Sequence, residues 1–173
     1  MKKIISILGS TGSIGQSSLK IISKKKKLFK INILSANKNY RLICNQIKQY
    51  KPKIFIINNL IVLNKVKKKF KKTKVILIPH TKFSKNIPKS DITIAAIPGI
   101  AGLEPTIELI KASNKILIAN KESIICGWNL IKKTASQYNT KIIPVDSEHF
   151  SIMKLIENKK TKDIKKIYLT ASG

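Results

Sequence analysis

Seven residues, Gly9-Ser10-Thr11-Gly12-Ser13-Ile14-Gly15, set three glycines at three-residue intervals directly behind an apolar run. That spacing suits a tight turn, close backbone approach to a pyrophosphate, and close packing of a helix on a strand. Ser10, Thr11 and Ser13 add hydroxyls beside the N–H groups of a helix start, where anions bind readily. The alternative is an ordinary strand–helix turn capped by Ser13. The end of the second strand bears on the same chemistry, because NAD sites usually hold Asp or Glu there against the ribose hydroxyls. Here Ala36-Asn37-Lys38-Asn39 supplies one cation and no acid. A ribose 2′-phosphate would be attracted to Lys38, so NADP(H) is favoured over NAD(H).

Carboxylates are scarce, eight in 173 residues, yet Asp146 and Glu148 stand two apart behind the apolar run 141–145. In an extended segment side chains two apart share a side, so this pair is expected to converge on one cation. Oxygen ligands without cysteine suit a hard ion, Mg²⁺ or Mn²⁺. The alternative makes Asp146 only the cap of a helix that begins near Glu148. Two ligands do not complete a metal site, so a third is expected elsewhere. Asn120-Lys121-Glu122-Ser123 closes another apolar run and offers a cation, an acid and polar donors to the same cleft. His149 reads as an ordinary polar residue.

The elements that must position these groups follow from the hydrophobic pattern. Short β-branched runs at 3–8, 31–35, 54–57, 74–78, 92–95, 115–118, 141–144 and 166–169 read as strands covered on both faces. Segments of helical period lie near 14–23, 40–50, 60–70, 103–112, 124–138 and 148–156. This alternation implies right-handed crossovers and an α/β fold, a Rossmann-like doubly wound, mostly parallel sheet. Pro144 marks a domain edge. It separates a dinucleotide-binding domain over 1–144 from the beginning of a second α/β domain over 145–173.

The net charge is +27, from 35 basic and 8 acidic side chains. Alone it points to nucleic acid or an anionic membrane. Only Arg41 is an arginine, however, whereas base readout and bidentate phosphate clamps favour Arg. The lysines run along the chain among many Ile and Asn, as an AT-rich coding bias would produce. Most therefore read as solvated surface, and no specific nucleic-acid partner is expected. Lysine runs at 24–27 and 67–72 fall at helix ends, where cations suit the dipole. Two cysteines support neither a disulfide framework nor a thiolate metal site. No apolar stretch approaches the roughly 18 residues of a membrane span, and the apolar run 4–8 is too short for a signal peptide. A reducing cytoplasm and no membrane contact are the expectation.

Together these blocks closely resemble the 1-deoxy-D-xylulose 5-phosphate reductoisomerase family of the non-mevalonate isoprenoid pathway. The matching pieces, in family order, are the glycine turn 9–15, Ala96-Ile97-Pro98-Gly99 with Gly102-Leu103-Glu104-Pro105-Thr106, Asn120-Lys121-Glu122-Ser123, Pro144-Val145-Asp146-Ser147-Glu148-His149, and Leu169-Thr170-Ala171-Ser172-Gly173. The resemblance implies NADPH as cofactor, a divalent ion (Mn²⁺, Mg²⁺ or Co²⁺), a phosphorylated ketose as substrate and a homodimer. It assigns Thr11, Gly12, Ser13 and Ile14 to the cofactor phosphates, and Asn37, Lys38 and Asn39 to the 2′-phosphate. It sets Asn120 and Glu122 at the nicotinamide side, and Lys121, Ser147, Glu148 and Ser172 at the substrate. Asp146 and Glu148 match two of three metal carboxylates. Asn37 stands where the family has a glycine, and Phe150 where a small or polar residue is usual.

The family's third metal carboxylate, its lid and its helical C-terminal domain have no counterpart in these residues. The chain is thus expected to be an N-terminal part, inactive by itself. Two other classes stay open on the residues alone: a non-catalytic NADP-binding domain and a basic nucleic-acid-binding module.

Overall fold

A computed structural model of the chain describes residues 1–80 and 87–168. Seven strands form one sheet: β1 (Lys3–Leu8), β2 (Phe29–Ala36), β3 (Ile54–Ile57), β4 (Ile76–Ile78), β5 (Ser90–Ala95), β6 (Ser113–Ile118) and β7 (Lys141–Pro144). Their order is β4-β3-β2-β1-β5-β6-β7, and every neighbouring pair is parallel. Between and after them lie α1 (Ser13–Lys24), α2 (Tyr40–Tyr50), α3 (Leu60–Lys69), α4 (Leu103–Ile110), α5 (Lys121–Gln137) and α6 (Ser147–Ile156). The Rossmann-like α/β expectation holds. The chain steps outward from β1 to β4, then returns to lay β5 on the other side of β1. That reversal makes the carboxyl ends of β1 and β5 the place where open α/β sheets hold ligands.

Both sheet faces are covered, which is why the strands read as unbroken apolar runs. On one face Ile5 and Ile7 pack with Leu19 of α1, Ile43 and Ile47 of α2, and Leu63 and Val66 of α3. On the other, Leu8, Ile116 and Ile118 pack with Leu109 and Ile110 of α4 and Ile131 and Ala135 of α5. Each buried Ile or Leu contributes on the order of 1.5–3 kcal/mol.

The register contains one irregularity. Ile5 pairs with Ile31 but Ser6 pairs with Ile33, so Asn32 is an extra residue in β2. This bulge sends Ile31 and Ile33 to opposite faces, although strict alternation would put them on one. Asn32 Nδ2 lies within donating distance of the Pro88 carbonyl (3.1 Å), the Lys89 carbonyl (3.2 Å) and Ser90 Oγ (3.1 Å). The bulge thereby ties β2 to the segment entering β5.

Two expectations need correction. Helices α5 and α6 begin at Lys121 and Ser147, before the hydrophobic period starts, because Asn120 and Asp146 cap them. No strand forms over 166–168, where the side chains are exposed and β7 already ends the sheet; residues 169–173 lie outside the described residues. Among the described residues no helix is long and apolar enough to cross a membrane.

Candidate active site

Gly9 follows β1 at φ +78°, a left-handed value that favours glycine. A Cβ there would stand 2.5 Å from the carbonyl oxygen of Ala96, just beyond β5. A Cβ at Gly15 would strike the Gly9 oxygen and Ser10 Cα. These two glycines thus let α1, β1 and β5 close on one another. Gly12 meets only the Gly9 oxygen, at 3.4 Å, so the fold does not demand it. It is the N-cap of α1, and no side chain caps that helix. Ser13 is the first helical residue and does not cap the helix. The first turn of α1 is left with free N–H groups, the usual donors to an anion.

Ser10 does not take part as expected. Its hydroxyl is buried, 3.0 Å from the Ser35 carbonyl and 2.7 Å from Gln46 Oε1, and Gln46 Nε2 donates back to the Ser10 carbonyl at 2.8 Å. A buried hydroxyl must find partners inside, and Gln46 supplies them. Gln46 went unnoticed in the sequence; its signal is a polar residue on the buried face of α2 beside Ile43 and Ile47.

The turn opens on a cavity of about 540 Å³ at the switch point, within the usual size of cofactor pockets. Thr11, Gly12 and Asn37 line it, together with Asn58, His80 and Glu104. Ser13 and Ile14 are exposed at the start of α1, and Lys38 is exposed just after β2. Asn39 is committed to the cap of α2, its Oδ1 accepting from the Leu42 N–H at 3.1 Å.

A second cavity, about 470 Å³ and largely apolar, lies between α5, β7 and α6. It brings together Asn120, Lys121 and Asp146, with Trp128 and His149 on its wall. Lys121 and Glu122 are exposed in the first turn of α5, where an acid suits the positive helix end. Asn120 is buried: Nδ2 donates to the carbonyls of Ile97 and Gly99, and Oδ1 accepts the Ser123 N–H at 3.0 Å.

Asp146 and Glu148 do not share an extended segment, so the two-residue argument for their convergence fails. Asp146 is the N-cap of α6 and Glu148 sits in its first turn. Asp146 Oδ1 accepts the His149 N–H at 2.9 Å and lies 2.6 Å from His149 Nδ1. Partial burial pulls the Asp146 carboxyl upward, but the His149 N–H and ring outweigh it and hold it below the usual carboxylate range. Both contacts use Oδ1, which leaves Oδ2 able to meet another partner. His149 is thus more than an ordinary polar residue; the Asp-x-x-His spacing across a helix start was its signal. Oxygen donors suit a hard cation, yet among the described residues no group of three potential metal ligands forms. Ser147 opens α6. Ser172 lies outside the described residues.

Family comparison agrees with this geometry. Residues 5–127 match the family described as 1-deoxy-D-xylulose 5-phosphate reductoisomerase, and residues 142–173 match that enzyme's C-terminal domain. The chain belongs to the 1-deoxy-D-xylulose 5-phosphate reductoisomerase family. A reductoisomerase of Pelagibacter ubique is 48% identical over all of this chain and 45% of its own length. One from Wolbachia pipientis is 41% identical over all of this chain and 44% of its own. The chain therefore spans about half the length of the curated relatives it matches. Among solved structures, the Zymomonas mobilis reductoisomerase in complex with NADPH superimposes with TM-score 0.78 at 28% identity, covering 86% of this chain and 40% of that one. A reductoisomerase in complex with NADPH, fosmidomycin and magnesium gives TM-score 0.81 at 28% identity, over 91% and 40%.

Proposed function

We propose that the chain is the cofactor-binding part of an NADPH-dependent reductoisomerase. Its reaction would convert 1-deoxy-D-xylulose 5-phosphate to 2-C-methyl-D-erythritol 4-phosphate. The observation that carries this reading is the uncapped start of α1 opening onto the switch-point cavity. The cradle fits a dinucleotide: Gly9 and Gly15 are where a Cβ would collide, and Gly12 faces the cavity without side-chain bulk. The fit with relatives solved with NADPH and magnesium supports it.

When bound, NADPH supplies the hydride and a divalent ion polarises the substrate carbonyl. The residues' own parts follow from their places. Thr11, Ser13 and Ile14 offer N–H and hydroxyl donors to the cofactor phosphates. Gly12, whose own N–H is taken by the Gly9 carbonyl, lets them approach, and Asn37, Lys38 and Asn39 flank the 2′-phosphate. Asn120 acts by holding the loop after β5 against α5, with Glu122 beside it at the nicotinamide side. Lys121 brings a positive charge into the second cavity, where it orients a phosphorylated ketose together with Ser147, Glu148 and Ser172. Asp146 and Glu148 offer carboxylate oxygens to Mg²⁺, Mn²⁺ or Co²⁺, and the His149 contact fixes one oxygen of Asp146. Residues 1–144 form the cofactor domain and 145–173 begin the catalytic one. A homodimer in the cytoplasm, without a specific nucleic-acid partner, completes the proposal.

Fluorescence titration of the 173-residue protein with NADPH and NADH tests it. Tighter binding of NADPH is expected. No NADPH binding, or equal affinity for the two, overturns the reading.

A further inference from the structure

The amino-terminal edge of the sheet carries another concavity, at the opposite ends of the strands from the glycine turn. It measures about 890 Å³. Its floor is apolar, from Ile4, Ile31, Ile47 and Val75, and eight lysines surround it. Lys30 lies near the start of β2, while Lys53, Lys74 and Lys89 precede β3, β4 and β5. Parallel pairing therefore stacks these four along one edge. Favourable helix-end charge explains only the others, such as Lys48 and Lys69 in the last turns of α2 and α3.

Two observations set this edge apart from a generally basic surface. Residues 1–90 contain 23 of the 35 basic side chains and not one of the eight acids. A uniform coding bias would scatter those acids instead of confining them to the second half of the chain. Among the described residues the ion pairs are Lys111–Glu108, His149–Asp146 and Lys154–Glu157, and none uses a lysine of the concavity. One acid, Asp91 of β5, lies beside this edge, its carboxylate accepting the N–H of Ile4 at 2.7 Å and the Asn114 amide at 3.3 Å and forming no ion pair with these lysines. Eight crowded lysines against one carboxylate still repel one another, and a multivalent anion relieves that repulsion. Lysine meets phosphate as a compact point charge without directional demand. The rim has no arginine, and Phe70 is its one aromatic side chain, which gives successive bases nothing to stack on.

We propose that this concavity binds a compact oligophosphate anion, of the class of inorganic tripolyphosphate, at a site separate from the glycine-turn cavity. It does not depend on the function proposed above.

Calorimetric titration of tripolyphosphate at about 0.15 M salt, where the screening length is about 8 Å, reads it directly. The triple variant Lys53→Gln/Lys74→Gln/Lys89→Gln is compared with Lys132→Gln/Lys133→Gln/Lys159→Gln, which removes the same charge from exposed positions elsewhere. The first should weaken binding on the order of tenfold and the second less than about twofold. Tripolyphosphate should also raise the thermal midpoint of the unaltered protein and the control, but not of the concavity variant. Equal losses in both variants, a midpoint rise in all three proteins, or no binding by the unaltered protein overturns the proposal. So does displacement by duplex DNA at a lower phosphate concentration, which would make the edge a nucleic-acid surface.

Discussion

The side-chain amide of Asn120 donates to the carbonyl of Gly99 at 2.8 Å. The same Nδ2 reaches the Ile97 carbonyl, and Oδ1 holds the Ser123 N–H. One buried side chain thus fastens the loop after β5 to the first turn of α5. Both cavities meet at this junction, since Ile97 lines the first and Asn120 the second.

Replacing Asn120 with Ala removes a helix cap and strands two carbonyls. The expected cost is about 2–3 kcal/mol, read from urea unfolding. NADPH affinity should fall with it, because the loop bounding the cavity is released. A loss below about 0.5 kcal/mol would show that the junction does not depend on this side chain.

Gly9 and Gly12 should respond differently to Ala. Gly9→Ala combines a positive φ with a Cβ 2.5 Å from the Ala96 oxygen, so it should cost about 2 kcal/mol or more in stability. Gly12→Ala meets only an ordinary contact at 3.4 Å and should leave unfolding within about 1 kcal/mol. It should still weaken NADPH, because its methyl projects where the phosphates approach. Equal stability losses in the two variants would contradict the close approach of β1 and β5.

Lys38 is exposed beside a strand end that carries no acid. Lys38→Asp should lower NADPH affinity on the order of tenfold and leave NADH nearly unchanged. A similar loss for both cofactors would move the 2′-phosphate elsewhere.

The depressed Asp146 carboxyl contributes stability that is present above its unfolded pKa, near about 3.9, and is lost as pH falls through the lower folded value. Because the group is partly exposed, the effect is small. An NMR titration should find the Asp146 carboxyl below the ordinary range in the unaltered protein and shifted part of the way back in His149→Ala, which keeps the residue-149 N–H but loses the ring. An unchanged midpoint would show that the His149 ring is not a cause.

The 173 residues alone should not oxidise NADPH with 1-deoxy-D-xylulose 5-phosphate and Mn²⁺. Asp146 caps α6 and Glu148 stands in its first turn, and among the described residues no group of three possible metal ligands forms. An ion held so loosely stays largely hydrated and does not fix a substrate. Absorbance at 340 nm, beside a full-length relative, gives the answer; metal-dependent turnover would mean that the metal site lies elsewhere.

The succession of Ile/Val/Leu runs, amphipathic segments and glycines at 9, 12 and 15 determined the Rossmann-like sheet and the place of its phosphate turn. These are local signals: strand burial and turn geometry depend on neighbours a few residues away. The roles of Ser10, Asn32, Asn120 and Asp146 were decided only by tertiary structure. Ser10 looks like an anion donor until Gln46, 36 residues later, claims its hydroxyl. Asn32 looks like a lone polar residue in an apolar run until the register slips around it and Pro88 and Lys89 accept its amide. Asn120 reads as one polar residue closing an apolar run until the loop at 97–99 arrives above it and its carbonyls accept the amide. Asp146 looks extended until α6 begins beneath it and His149 turns back. In each case the side chain's hydrogen-bond partner is supplied by folding, and no spacing along the chain records which partner that will be.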